Sequence, residues 1–145
     1  MRNYLPNDEE SRHYACLLQW DNIYYQAPTE EYILPKTTVR VGIVQWQMRS
    51  YKTLDDLFEQ VEFFVDSVSG YQSDFVLFPE YFNAPLMARF NDVSESEAIR
   101  GLAQYTDEIR DRFIALAIKF NINIITGSMP QIKDDGQLYN VGFLC

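Results

Sequence analysis

The sequence predicts an α/β fold built on a largely parallel sheet. Phe75-Val76-Leu77-Phe78 is an apolar run without alternation, the pattern of a strand buried on both faces. Val39 to Gln47 is a second run rich in β-branched residues. Between the two, Thr53 to Ser69 repeats Leu54, Leu57, Phe58, Val61, Phe64, Val65 and Val68 at helical spacing. Strand, helix and strand in that order form a βαβ unit, whose right-handed crossover lays the helix against a parallel sheet.

Residues 1 to 36 differ in character from the rest of the chain. Asn7-Asp8-Glu9-Glu10-Ser11 reads as a charged loop, Tyr14 to Trp20 as a strand, and Ala27 to Lys36, with its two prolines, as a linker. The segment is too short for a domain and reads as an arm, or as the end of something that precedes it. The main body runs from residue 37 to 145. In its first strand Gly42 allows close packing of another element. Thr53 and Asp56 form a capping box at the start of the helix, and Gly70 is its stop.

Pro79 closes the Phe75–Phe78 strand, because it has no N–H to give to a neighbour. Tyr81 to Val93 then shows no clear period and reads as a loop. Ser94 with Glu97 is a second capping box, opening a helix to about Gln104. Thr106 reads as the cap of another helix, with Asp107 and Glu108 in its first turn and Ile109, Phe113, Leu116, Ala117 and Phe120 on its buried face. Ile122 to Gly127 is a third core strand, Asp134-Asp135-Gly136 a hairpin turn, and Leu138 to Leu144 a fourth strand antiparallel to the third. A sheet ending on an apolar strand suggests a domain truncated after its fourth core strand.

Composition bounds the function. The chain has 145 residues, 47% apolar and 23% charged, which is enough for one domain with a real core. Aromatic residues reach 15%, so a core or an interface rich in rings is expected. A net charge of −9 argues against nucleic acid and against anionic membrane surfaces. One histidine, His13, and two distant cysteines, Cys16 and Cys145, assemble no zinc-type cluster, so no metal or other cofactor is expected. The first residues lack a signal-peptide core and no window is long enough to cross a membrane, so a cytoplasmic protein with free thiols is expected.

Glu80 is the main candidate for chemistry. It sits at the carboxyl end of a central strand, where open α/β sheets bind ligands. Burial there would favour a general base. The alternative is a carboxylate that caps a loop or holds an arginine. The following loop, Tyr81 to Val93, is where substrate contacts are expected. Cys145 could serve as a nucleophile, but nothing beside it activates a thiol, and it reads as a strand residue. Cys16 reads as a packed small residue and His13 as a solvated or packed side chain. Lys52, Lys119 and Lys133 stand where lysines serve solubility. Gly127-Ser128 could offer N–H groups to an anion or simply end a strand. Asp134-Asp135 reads as turn chemistry.

In this order, Val39-Arg40-Val41-Gly42-Ile43-Val44-Gln45, the amphipathic helix, Asp74-Phe75-Val76-Leu77-Phe78-Pro79-Glu80, Ile124-Ile125-Thr126-Gly127-Ser128 and Leu138-Tyr139-Asn140-Val141 resemble the first part of the nitrilase, or carbon–nitrogen hydrolase, superfamily. The resemblance covers residues 39 to 145. It implies an α-β-β-α sandwich, here incomplete, and a Glu-Lys-Cys triad that hydrolyses small-molecule amides, nitriles or carbamoyl groups. Glu80 would be the general base of that triad. The family's lysine and cysteine fall beyond the Tyr139-Asn140 strand, so this chain alone is expected not to catalyse the reaction, and Cys145 is too early to be the nucleophile. The resemblance also implies a homo-oligomer when the protein is complete. Ser11 to Trp20 looks like the closing strand of an acetyltransferase-like domain, which some nitrilase-like proteins carry in front. A different class of function is a non-catalytic interaction module that pairs through the exposed sheet edge.

Overall fold

The computed structural model describes residues 38–145. The N-terminal arm, with His13, Cys16 and the Tyr14 to Trp20 strand, lies outside the described residues.

The main body is a mixed α/β unit around a four-stranded sheet in the order β1-β2-β3-β4. The strands are β1 (Val41–Ile43), β2 (Phe75–Leu77), β3 (Asn123–Ile132) and β4 (Leu138–Leu144). The first three are parallel and β4 returns antiparallel to β3, as expected. Three α-helices join them: α1 (Leu54–Gly70), α2 (Glu95–Ala103) and α3 (Thr106–Phe120). A 3-10 turn, Ala84–Phe90, occupies the middle of the segment that reads as a loop.

Both capping boxes form. The Thr53 hydroxyl accepts from the Asp56 N–H at 3.0 Å, and the Asp56 carboxylate accepts from the Thr53 N–H at 3.0 Å. Ser94 and Glu97 repeat the arrangement at the head of α2. Each box satisfies donors that a helix start leaves orphaned. Thr106 behaves differently from the cap read in the sequence. Tyr105 takes the cap position without a side-chain bond, and Thr106 is the first helical residue. It is fully buried beneath β3, where its hydroxyl donates to the Pro130 carbonyl at 2.6 Å. Satisfying a buried carbonyl outweighs a cap that solvent can replace.

The helices sit on one face of the sheet. Gly42 is the point of closest approach: a Cβ there would lie 2.4 Å from Val68 Cγ1 of α1. Phe58 of α1 meets Phe113 of α3 at 5.4 Å between ring centroids, and Arg112 reaches from α3 to Asp55 at 2.6 Å. Under them Val44, Val76, Phe78 and Ile124 are buried. Each such side chain contributes about 1.5–3 kcal/mol of transfer free energy.

The opposite face corrects an expectation. The Phe75–Phe78 run reads as buried on both sides, yet Phe75 and Leu77 are only half-buried, and their neighbours Val41 and Ile43 are 50% and 76% exposed. Ile43, Leu77, Ile125 and Leu144 stand in register across all the strands on this face. The cause is topological. β1, β2 and β3 are laid down in one direction, so right-handed crossovers place the helices that join them on the same side. An apolar face that no helix of the described residues covers is what one half of a sheet-on-sheet sandwich presents.

Candidate active site

β2 delivers Glu80 to the rim of the sheet. The last rung of the β2–β3 ladder is the Phe78 N–H donating to the Ile125 carbonyl at 2.9 Å. Pro79 has no N–H and ends the ladder. The chain then turns sharply at Tyr81, which adopts a left-handed conformation with φ of 53°. That conformation is costly for a residue with a side chain. It is held by the Tyr81 N–H, which donates to the Ser128 carbonyl at 2.7 Å.

β3 is irregular at the same level. Its pairing with β4 shifts register between Ile125 and Ser128, and Gly127 within the shift has φ of 70°. Thr126 is buried there, and its hydroxyl accepts from the Phe143 N–H and donates to the Gly127 carbonyl, each at 3.0 Å. These bonds replace those the bulge removes from the ladder. Past the bulge Ser128 pairs with Gly142, and Pro130 with Asn140. Ser128 and Asn140 are therefore diagonal neighbours on adjacent strands.

Both converge on Glu80. The Ser128 hydroxyl donates to Glu80 Oε1 at 3.3 Å, and Asn140 Nδ2 donates to the same oxygen at 3.0 Å. No hydrogen bond from the described residues reaches Oε2. The burial expected at the strand end is not found: among the described residues Glu80 is solvent-exposed. Among the described residues its partners are neutral donors, and no arginine pairs with it.

The strand end is rooted in a cluster of rings. Phe78 and Phe82 flank Glu80 in sequence and are essentially fully buried. Phe113 packs on both, at 5.2 and 5.4 Å between centroids, and Trp46 contacts both at 6.0 Å. Edge-on packing of this kind resists displacement, since no ring can move without opening a void. Asn83 is also fully buried, and its amide nitrogen and oxygen have no hydrogen-bond partner among the described residues. Pro85 and Leu86 are buried in the 3-10 turn, and Phe90 presses on Gly101 of α2, so much of the 81–93 segment is packed structure.

The remaining candidates do not gather at Glu80. Cys145 continues the β3–β4 ladder, exchanging backbone bonds with Ile124 at 2.7 and 2.9 Å, and packs half-buried against the core as a strand residue. Lys119 pairs with Glu62 and lies over the Phe120 ring. Lys133 lies 4.7 Å from the centroid of Tyr139, and Lys52 is exposed. Asp135 is turn chemistry: its carboxylate accepts from the Gln137 N–H at 2.9 Å and from the Tyr139 hydroxyl at 2.8 Å. These bonds, the Gln137 one foremost, hold its carboxyl below the usual range. Among the described residues no cluster of His, Cys, Asp and Glu is suited to a metal, and no helix is long and apolar enough to cross a membrane.

Sequence reasoning missed the contact of Ser128 and Asn140 with Glu80. Gly127-Ser128 reads as an anion site or a strand exit, whereas its serine hydroxyl donates to the carboxylate. A sequence signal for the bulge exists in the glycines: a Cβ at Gly142 would lie 2.7 Å from the Gly127 carbonyl oxygen.

"Probable hydrolase YhcX" of Bacillus subtilis (strain 168) is 36% identical to the chain over 143 residues, which cover 98% of the chain. The chain spans only 28% of the length of that relative. The family model described as carbon-nitrogen hydrolase matches residues 40–145, nearly three-quarters of the chain. With the strand order, the Pro79-Glu80 strand end and the hairpin that meets it all inside the matched span, the chain belongs to the carbon-nitrogen hydrolase family.

Proposed function

We propose that this chain supplies the general base of a carbon–nitrogen hydrolase acting on small-molecule amides, nitriles or carbamoyl compounds, and that Glu80 is that base. One observation carries the reading. Glu80 stands at the carboxyl end of β2 with one oxygen held by two neutral donors and the other without a hydrogen bond from the described residues. In a Glu-Lys-Cys triad that second oxygen takes the thiol proton, and the thiolate attacks the substrate carbon. For an amide, the tetrahedral species collapses as Glu80 returns that proton to the departing nitrogen. Ammonia or an amine leaves and a thioester remains. Water, deprotonated by the same carboxylate, then releases the acid. The lysine stabilises the developing oxyanion.

The described residues offer no lysine or cysteine at Glu80, so those partners are expected further along the reading frame. The similarity to the longer Bacillus relative runs through residues 1–36 as well, which supports reading that arm as part of a larger protein. The test is ammonia release by the complete protein. Glu80→Gln should abolish it while the circular dichroism spectrum is unchanged. Near-normal activity in that variant would remove the role assigned to Glu80.

A second reading, an interaction module without catalysis, is favoured by the open apolar row Ile43, Leu77, Ile125 and Leu144. It places the contact on a sheet face instead of the edge. Sedimentation of the 145-residue chain distinguishes the two. A complete protein that hydrolyses no amide or nitrile but assembles through this face would favour the module.

A further inference from the structure

We infer that Asn140 and Ser128 are positioning residues that decide which oxygen of Glu80 takes the proton. The inference rests on the reading of Glu80 as the base and deepens it. A carboxylate has two nearly equivalent oxygens, and its terminal torsion is soft, so nothing in a glutamate alone selects between them. Here both donors fall on Oε1, Nδ2 of Asn140 at 3.0 Å and Oγ of Ser128 at 3.3 Å. With the hydrogen-bonding capacity of Oε1 taken up, the proton goes to Oε2. The carboxylate plane is fixed by the same pair of bonds.

The two donors come from far along the chain, 48 and 60 residues after Glu80. They reach it because the β3–β4 hairpin acts as one rigid arm. Ser128 is tied to the Glu80 turn through its own carbonyl, which accepts from the Tyr81 N–H at 2.7 Å. Asn140 pairs with Pro130, whose carbonyl is anchored by the buried Thr106 hydroxyl at 2.6 Å. The hairpin thus holds the carboxylate, while the buried rings of Phe78 and Phe82 fix the chain on either side of it. Misplacement of a base by about 1 Å can cost on the order of a hundredfold in rate, so such an arm has a kinetic consequence.

The experiment is steady-state kinetics of ammonia release by the complete protein carrying Asn140→Leu, Ser128→Ala, both together, Ser128→Thr, and Glu80→Gln. Each variant is first checked by its thermal midpoint. Asn140→Leu should lower kcat about ten- to hundredfold with KM nearly unchanged. Ser128→Ala should lower kcat less, its bond being the longer one, and Ser128→Thr, which keeps the hydroxyl, should restore it. The double variant should fall short of the product of the singles, because both donors serve one oxygen.

A double variant with kcat within about twofold of the parent would overturn the inference, and so would a rise in KM with kcat unchanged, which marks a substrate contact. Activity retained by Glu80→Gln would instead overturn the base reading itself. Should the Asn140 variants fail to fold, the side-chain amide resonances of Asn140 in the 145-residue chain decide. Glu80→Gln must move them while leaving those of Asn121 in place, and no movement refutes the contact.

Discussion

Gly127 lies flat against the backbone of Pro79: a Cβ at Gly127 would stand 2.1 Å from the Pro79 carbonyl oxygen and 2.8 Å from that of Phe78. The bulge of β3 and the strand end that carries Glu80 are thus in contact backbone to backbone. Any side chain between them would push the β3–β4 hairpin away from the carboxylate.

Gly127→Ala should therefore destabilise the fold by about 2–5 kcal/mol, combining a left-handed backbone with a clash against atoms that cannot swing aside. Gly136 is the control. It has φ of 74° but open space around its Cβ position, so Gly136→Ala should cost only about 1–2 kcal/mol. Urea unfolding of the two variants separates clash from conformation, and equal losses would contradict the close approach.

Thr106→Val keeps the shape of the side chain and removes its bond to the buried Pro130 carbonyl. The expected loss is about 1–3 kcal/mol, the cost of leaving that acceptor unsatisfied. Thr106→Ser keeps the hydroxyl and should lose less, about the worth of one methyl group, near 0.8 kcal/mol. If Thr106 acted only as a helix cap, Thr106→Ser would cost nothing or stabilise, since serine caps at least as well as threonine.

Phe113 touches Phe58, Phe78 and Phe82 at centroid distances of 5.2 to 5.4 Å. Phe113→Ala should cost about 3–5 kcal/mol, since rigid rings on three sides collapse poorly into a void. Thermal or urea unfolding measures the loss. In the complete protein the same change should reduce kcat by loosening the buried rings that flank Glu80 in sequence, with the fold retained at low temperature.

Acid should weaken the fold through two surface carboxylates. Glu97 is held below its usual range by the Ser94 hydroxyl and then by the Ser94 N–H. Asp135 is lowered by the Gln137 N–H and then by the Tyr139 hydroxyl. A group depressed in the folded state contributes stability above its unfolded value, and that contribution is lost as pH falls through its folded value. Thermal midpoints should then drop between about pH 5 and pH 3. Ser94→Ala and Asp135→Asn should each flatten that dependence. An unchanged acid slope in the double variant would show that other carboxylates govern it.

Much of the fold was legible in local chemistry. Both capping boxes, the helix end at Gly70 and the hairpin turn arise from residues within a few positions of one another. Gly42 signalled the approach of α1 because an interior strand glycine leaves room for a neighbour. The strand end at Pro79 came from a missing N–H. Thr106 was misread because its cap pattern is local while its true partner, Pro130, lies on another element. The β3 strand runs on to Ile132, past the expected end at Gly127, since the register shift at Gly127 passes for a strand exit in sequence.

Sequence periodicity determined that an apolar strand would end at Pro79 and present Glu80, for both are properties of consecutive residues. Tertiary structure decided the rest. It placed the helices of the described residues on one face, because that depends on the direction in which successive strands are added. It also brought Ser128 and Asn140 to a single oxygen of Glu80. That meeting depends on a bulge, a left-handed turn and the closeness of Gly127 to Pro79, which are long-range relations between backbones and leave no periodic trace in the chain.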